Sequence, residues 1–362
     1  MLALASLVQT THRTVRSQAL HYLARPHSQI PSGPVLTQAA WKKGDVGNPD
    51  AWTDTLTPEV LAELEPGLRA MEDRPLSALG PRDIPLAPLA AALQRWRAAL
   101  LHGRGFVRIR GVPVDDWPLA LVERFYWALG QQLGRPGAQN GQGDLLGHVR
   151  DLRLGKDGDV RQYMTSEGIS FHCDAADVVG LLCLKAAREG GRSRIASSVS
   201  IFNALLEDDP ELAKLLFRPL DVDTRSDGGT DVFTVQPAAF HAGRLRTFYH
   251  SEYVRTASRH RGVGPLLPEQ LRLLDAYDAL ASSAAHCLEM ELRPGDIQLI
   301  SNHTVVHSRS AYVDHEDPGL RRHLLRLWLT LESPATMYER WLRVCSMSQL
   351  AVNLAKRSWR RR

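Results

Sequence analysis

The chain is poor in cysteine and in clustered charge, and it has no long apolar run. Four cysteines in 362 residues, Cys173, Cys183, Cys287 and Cys345, form no CxxC pair and match no zinc spacing. This argues against a disulfide scaffold and a structural zinc module, and makes a reducing, cytoplasmic compartment the expectation. No apolar stretch reaches the length that spans a bilayer, so no membrane association is expected. The formal net charge is only +4 and the basic residues are dispersed, which leaves no stripe for nucleic acid. The basic Lys356–Arg362 end reads as a solvated tail. Internal repeats and low-complexity segments are also missing. Acids are missing from the start: Asp45 is the first one, after a stretch holding Arg13, Arg16 and Arg25 among Ser, Thr, His and Leu. Val15, Leu20 and Leu23 continue a loose apolar face that begins at Leu2. That composition suits a mitochondrial transit peptide, the alternative to the cytoplasm, or a frayed helix.

What is present is an ordinary globular composition, 44% hydrophobic and 23% charged. Residues 1–33 read as an N-terminal extension, a targeting segment or a disordered or helical tail. Residues 34–362 read as one domain, with a linker over 28–50. Thr57-Pro58-Glu59 opens a helix as N-cap and first-turn proline, and others are expected through Leu89–Leu100, Leu119–Leu133 and Pro268–His286. Val199–Leu216 reads as helical with a break at Asp209-Pro210. Gly105–Gly111, Val178–Leu184, Arg194–Ser198, Leu288–Leu292, Ile297–Ile300 and Leu324–Leu331 read as strands. Residues 218–255 read as short β-like runs. The glycine-rich loop 134–148 lacks the spacing and the preceding strand of a dinucleotide fingerprint, and reads as a mobile loop beside an active site. A last helix is expected over about 337–354. Strands without a regular βαβ rhythm, from about 104 to 331, make the expected fold α+β. Its core would be a jelly roll with surrounding helices. The terminal helices offer an interface for a homo-oligomer.

The chemistry gathers at Phe171-His172-Cys173-Asp174. On or at the end of a strand, residues two apart share a face, so His172 and Asp174 point together and Cys173 points away. A third ligand would complete a 2-His-1-carboxylate triad, which leaves positions open on Fe(II). Gly295 to Arg309 offers His303 and His307. Arg322 and Arg326, four apart on the last strand, share a face and suit a carboxylate. Tyr163, Asn302 and Arg326 are candidates for a substrate pocket; Tyr253 and Trp328 fit core positions as well.

In these motifs the chain resembles the taurine dioxygenase (TauD/TfdA) group of Fe(II)/2-oxoglutarate-dependent dioxygenases, over roughly residues 100 to 335. The resemblance rests on Phe171–Asp174, Gly190-Gly191-Arg192-Ser193, Gly295-Asp296 through His307-Ser308-Arg309, and Arg321–Arg326. It implies a double-stranded β-helix and an oxidoreductase that uses O2 and 2-oxoglutarate, oxidises a small organic substrate, and releases succinate and CO2. His172, Asp174 and His307 would ligate Fe(II), with no catalytic residue beyond that centre. His307 is preferred to His303 because it carries the family's His-x-Arg context. Arg322 and Ser193 would hold the distal carboxylate of 2-oxoglutarate, and Arg326 a substrate acid or the co-substrate. Cys173 stands where Thr or Ser is usual, and Ser193 where Thr is usual. Asp174 argues against halogenation, because related halogenases carry a small residue there. The alternatives are a metal-dependent non-redox enzyme on a cupin-like barrel and a non-catalytic small-acid binding protein.

Overall fold

The computed structural model describes residues 14–84, 86–152, 164–225 and 231–331. The expected C-terminal helix at 337–354 and the candidate Tyr163 lie outside them. In chain order, α1 (Val15–Leu23) is followed by β1 (Thr53–Thr55), α2 (Pro58–Arg69), α3 (Ala90–Leu101), β2 (Phe106–Arg110) and α4 (Leu119–Leu133). Short strands β3 (Arg135–Pro136) and β4 (Gly147–Val149) precede β5 (Ile169–His172), β6 (Val178–Lys185), β7 (Glu189–Gly190) and β8 (Ser193–Ser197). Helices α5 (Ser198–Asp208) and α6 (Pro210–Lys214) lead to two hairpins, β9 (Leu220–Asp223) with β10 (Val232–Val235) and β11 (Ala238–His241) with β12 (Arg244–Thr247). Then come α7 (Ser251–Thr256), α8 (Pro268–Ser282), β13 (Leu288–Met290), β14 (Ile297–Ser301), β15 (Val305–Arg309), β16 (Tyr312–Val313) and β17 (His323–Thr330).

Helices and sheets are mixed, and two sheets organise them. The larger runs β1-β2-β14-β6-β17-β3, with β4 also on β17; the smaller runs β13-β8-β15-β5. All pairings are antiparallel except β1 with β2. β6 lies inside the larger sheet, and its side chains are buried along nearly its whole length, as its apolar run requires. Helix α4 covers the larger sheet with Leu121, Phe125, Leu129 and Leu133, at helical spacing, in one cluster with Leu325, Leu327 and Leu329 of β17. The break at Asp209-Pro210 is real, and Asp209 caps the second piece by accepting the Leu212 N–H at 3.0 Å. Among the described residues no helix is long and apolar enough to cross a membrane.

Several expectations need correction. Residues 28–50 are not a linker: Val35, Ala39, Trp41 and Val46 are buried against the body, and Trp41 donates its indole N–H to the Arg104 carbonyl at 2.8 Å. Short apolar residues spaced among Pro and Gly carry no period, so the sequence hides this packing. Over 1–33, helix α1 is a built-in element. It buries Gln18, Ala19 and Tyr22 rather than the Val15–Leu20–Leu23 face alone. Loop 134–148 contains β3 and β4 and a fully buried Gln139. Beyond the expected strand at Ile297–Ile300, the chain turns at Asn302-His303-Thr304 into β15, a strand of the other sheet that was not expected.

Tyr22 fastens α1 in place. Its hydroxyl lies 2.8 Å from both the Thr247 and the Asn302 carbonyl oxygens, and its ring stacks on His303 at 4.7 Å. Tyr22→Phe leaves those buried acceptors without this donor. It should lower the unfolding free energy by about 1–3 kcal/mol in urea denaturation; an unchanged midpoint would show that α1 is not held in this way.

Candidate metal centre and its two cavities

β5 and β15 are antiparallel neighbours, and their register sets His172 opposite His307. Asp174 follows on the turn after β5. The ligand-type atoms of His172, Asp174 and His307 all lie within 4.8 Å of one another. His172 Nε2 is 3.9 Å from Asp174 Oδ1, and His307 Nε2 is 3.7 Å from Asp174 Oδ2.

The surroundings prepare these groups for a cation. His172 Nδ1 lies 2.9 Å from the Ser170 carbonyl, which can only accept, so Nδ1 carries the proton and Nε2 keeps its lone pair. Burial, and then the proximity of His307, lower the His172 imidazole to about 4, so it is neutral at physiological pH. Burial opposes the charge on Asp174, yet interaction with His307 and the positive charge of Arg326 hold its carboxyl well below the usual range. A carboxylate and two imidazoles with open space beside them fit a metal of the Fe(II) type.

Asp174 is also held from outside. The Trp328 indole on β17 donates to its Oδ2 at 3.0 Å, and its backbone N–H donates to Asn302 Oδ1 at 3.1 Å. Asn302 is therefore no pocket residue. It is fully buried, and its amide N–H is given to the Ala176 carbonyl at 2.9 Å. His303 turns away from the centre, where Nε2 donates to Asp177 Oδ1 at 2.7 Å. Cys173 points to the other side of the strand, as expected. Burial pushes its thiol up to about 12, which leaves it unreactive.

Two cavities meet at this centre, sharing Ile169, His172, Asp174 and Arg326. The inner one, about 580 Å³, is lined by Ser193, His307, Arg309 and Arg322. Arg322 is 6% exposed, and its Nη1 has no hydrogen-bond partner. Its space depends on the Gly190-Gly191 turn. Both glycines have positive φ, 77° and 65°, and a Cβ on Gly191 would sit 3.1 Å from Arg322 Nε. The Ser193 hydroxyl donates to Gln298 Oε1 at 2.8 Å, one rotation away from the cavity. Arg326 is fixed by Gln139, whose Oε1 accepts from Nε at 2.7 Å, with the guanidinium 5.1 Å above the Trp328 ring.

The outer cavity, about 900 Å³, is walled by Ala19 and Leu23 of α1 and by Val222, Phe233 and Val235 of the β9–β10 hairpin. His250 and Tyr253, stacked at 3.6 Å, form another wall, and His250 lies 5.1 Å from the His172 ring. Asp223 at this cavity is already matched by Arg259 at 2.8 Å and His260 at 2.9 Å. Gln139, His250, Arg309 and the Trp328 contact escaped the sequence reading. Two of them carried a signal: Trp328, as an indole two positions after Arg326 on the same strand, and Arg309, two positions after His307.

A family model described as taurine catabolism dioxygenase TauD, TfdA family matches residues 72–328. FR-33289 synthase of Streptomyces rubellomurinus is 31% identical over 315 residues, covering 84% of this chain and 93% of that protein. Asparagine oxygenase, solved in complex with Fe(II), 2S,3S-3-hydroxyasparagine and succinate, aligns with a TM-score of 0.62 at 17% identity, covering 77% of this chain and 93% of that one. The non-heme iron oxygenase OrfP, solved with Fe and alpha-ketoglutaric acid, aligns with a TM-score of 0.59 at 17% identity, covering 77% and 94%. At these identities the two structures speak for the fold.

If the Trp328 contact orients Asp174 for a metal, Trp328→Phe should weaken divalent-metal affinity about 10-fold while keeping the fold. Anaerobic titration of the apoprotein with Fe(II) measures this; unaltered affinity would make the contact a packing feature.

Proposed function

We infer function from a premise now in hand: this chain belongs to the taurine catabolism dioxygenase TauD, TfdA family. It is an Fe(II)/2-oxoglutarate-dependent dioxygenase, an oxidoreductase acting on a small molecule. Fe(II), when bound, supplies coordination positions at which 2-oxoglutarate and O2 meet the substrate, with succinate and CO2 as products. The finer assignments are our reading. His172, Asp174 and His307 hold the iron, and the two sheets are the faces of a double-stranded β-helix that encloses it. Arg322, with Ser193 turned from Gln298, takes the distal carboxylate of 2-oxoglutarate in the inner cavity. Arg326, braced by Gln139, supplies positive charge at the junction of the two cavities.

The observation that carries this reading is the inner cavity itself. A buried guanidinium with an unpartnered N–H beside a metal-type group calls for an anion, since an uncompensated buried cation is costly. A non-redox metal enzyme or a simple acid binder gives no reason for the anion to lie next to a 2-His-1-carboxylate group. The outer cavity is the substrate side. Its walls are mainly apolar, which suits an organic molecule with an apolar portion, oxidised where it reaches the junction, and the same walls exclude water there. Because α1 belongs to the folded body and forms one of these walls, we place any cleaved leader ahead of Thr14.

Anaerobic protein loaded with Fe(II) should develop an absorbance band on adding 2-oxoglutarate, and should consume O2 and form succinate when air is admitted. Arg322→Ala should weaken 2-oxoglutarate binding roughly 10–100-fold. Iron binding without any response to 2-oxoglutarate would overturn the assignment.

A further inference from the structure

Arg309 follows His307 by two positions on β15, so both side chains leave the same face of the strand. Arg309 therefore lines the inner cavity, as Arg322 does. The two guanidinium carbons lie 4.8 and 5.1 Å from the centre of the same Tyr312 ring. Arg309 is 7% exposed. Its Nη2 donates to the Thr165 carbonyl at 2.7 Å and to the Glu167 carbonyl. Its Nε and Nη1 have no partner, and neither does Arg322 Nη1. Burial, and then the charge of Arg322, lower Arg309 to about 10, so it remains a cation at neutral pH. Among the described residues no carboxylate forms an ion pair with either guanidinium, although the charge of Asp151 is felt by Arg309 and that of Asp314 by Arg322. Asp314 accepts the backbone N–H of Arg322 at 2.7 Å rather than its side chain.

Two buried cations packed against the same ring, each with unpartnered donors, repel each other, and a shared anion relieves that repulsion. A bracing role towards Thr165 and Glu167 uses only Nη2 and leaves the other donors unexplained. We propose that Arg309 is a second arginine for the distal carboxylate of the co-substrate, sharing it with Arg322. This rests on the reading that the inner cavity takes 2-oxoglutarate. Through Nη2, Arg309 also ties the chain entering β5, the strand that ends at His172, to the bound co-substrate. Arg309 is thus a positioning as well as a binding residue.

The test compares 2-oxoglutarate with 2-oxopentanoate, which has the same chain length and the same chelating keto acid but no distal carboxylate. Affinities are read anaerobically from the charge-transfer absorbance of the Fe(II) protein, without turnover. Wild type should prefer 2-oxoglutarate. Arg309→Met should weaken 2-oxoglutarate about 10-fold and leave 2-oxopentanoate unchanged, so that discrimination shrinks by the same factor. Arg309→Lys should recover part of the loss. Unchanged 2-oxoglutarate affinity in Arg309→Met overturns the proposal. So does an equal loss for both acids with a lowered melting temperature, which marks bracing alone. If Arg309→Met does not fold, the discrimination ratio of Arg309→Lys decides: a several-fold fall supports the proposal and an unchanged ratio overturns it. Wild type that fails to distinguish the two acids removes the co-substrate reading itself, and the proposal with it.

Discussion

A buried carboxylate is the constraint around which the molecule is arranged. Asp174 sits where burial disfavours its charge, and the short turn that carries it has no means of holding it alone. The compensation comes from distant parts of the chain. Trp328 donates from the larger sheet, Asn302 fixes the backbone from the β14–β15 turn, and His307 faces it from the smaller sheet. Asn302 is itself secured by the Ala176 carbonyl and the Tyr22 hydroxyl, and Arg326, whose charge also favours the carboxylate, by Gln139. The centre is thus a place where both sheets, the N-terminal helix and the glycine-rich loop converge.

That convergence separates two kinds of space. The inner cavity presents Arg309 and Arg322, which keep unpartnered donors and form no ion pair among the described residues; the outer one holds apolar walls and an acid already neutralised by its neighbours. An anionic co-substrate and an apolar-bodied substrate would approach the centre from opposite sides. The division explains why Arg322 needs the Gly190-Gly191 turn: a side chain there would press on the guanidinium. It also explains why the N-terminal helix matters although it precedes the matched family span. Its Ala19 and Leu23 complete the apolar side.

The sequence made the chemistry more legible than its supports. His172 and Asp174 could be read from strand alternation, and the larger helices from caps and apolar spacing, because these signals are local. What stayed hidden was decided by contacts across the chain. Nothing near Trp328 distinguishes an indole that donates to Asp174 from one that only fills the core. Gln139 lies among glycines that suggest a mobile loop, yet it is buried because Arg326 and two carbonyls need its amide. Asn302 has a pocket residue's chemistry but is consumed by backbone groups. The distinction between His303 and His307 required the break between β14 and β15, which sends one ring to Asp177 and the other to the centre.

The most direct measurement is anomalous diffraction at the iron edge from crystals grown without oxygen in Fe(II) and 2-oxoglutarate. The account predicts one strong iron peak, bonded to His172 Nε2, the Asp174 carboxylate and His307 Nε2. The distal carboxylate of 2-oxoglutarate should lie in the inner cavity against Arg322. Iron at the His303–Asp177 pair, or 2-oxoglutarate seated in the outer cavity, would contradict it.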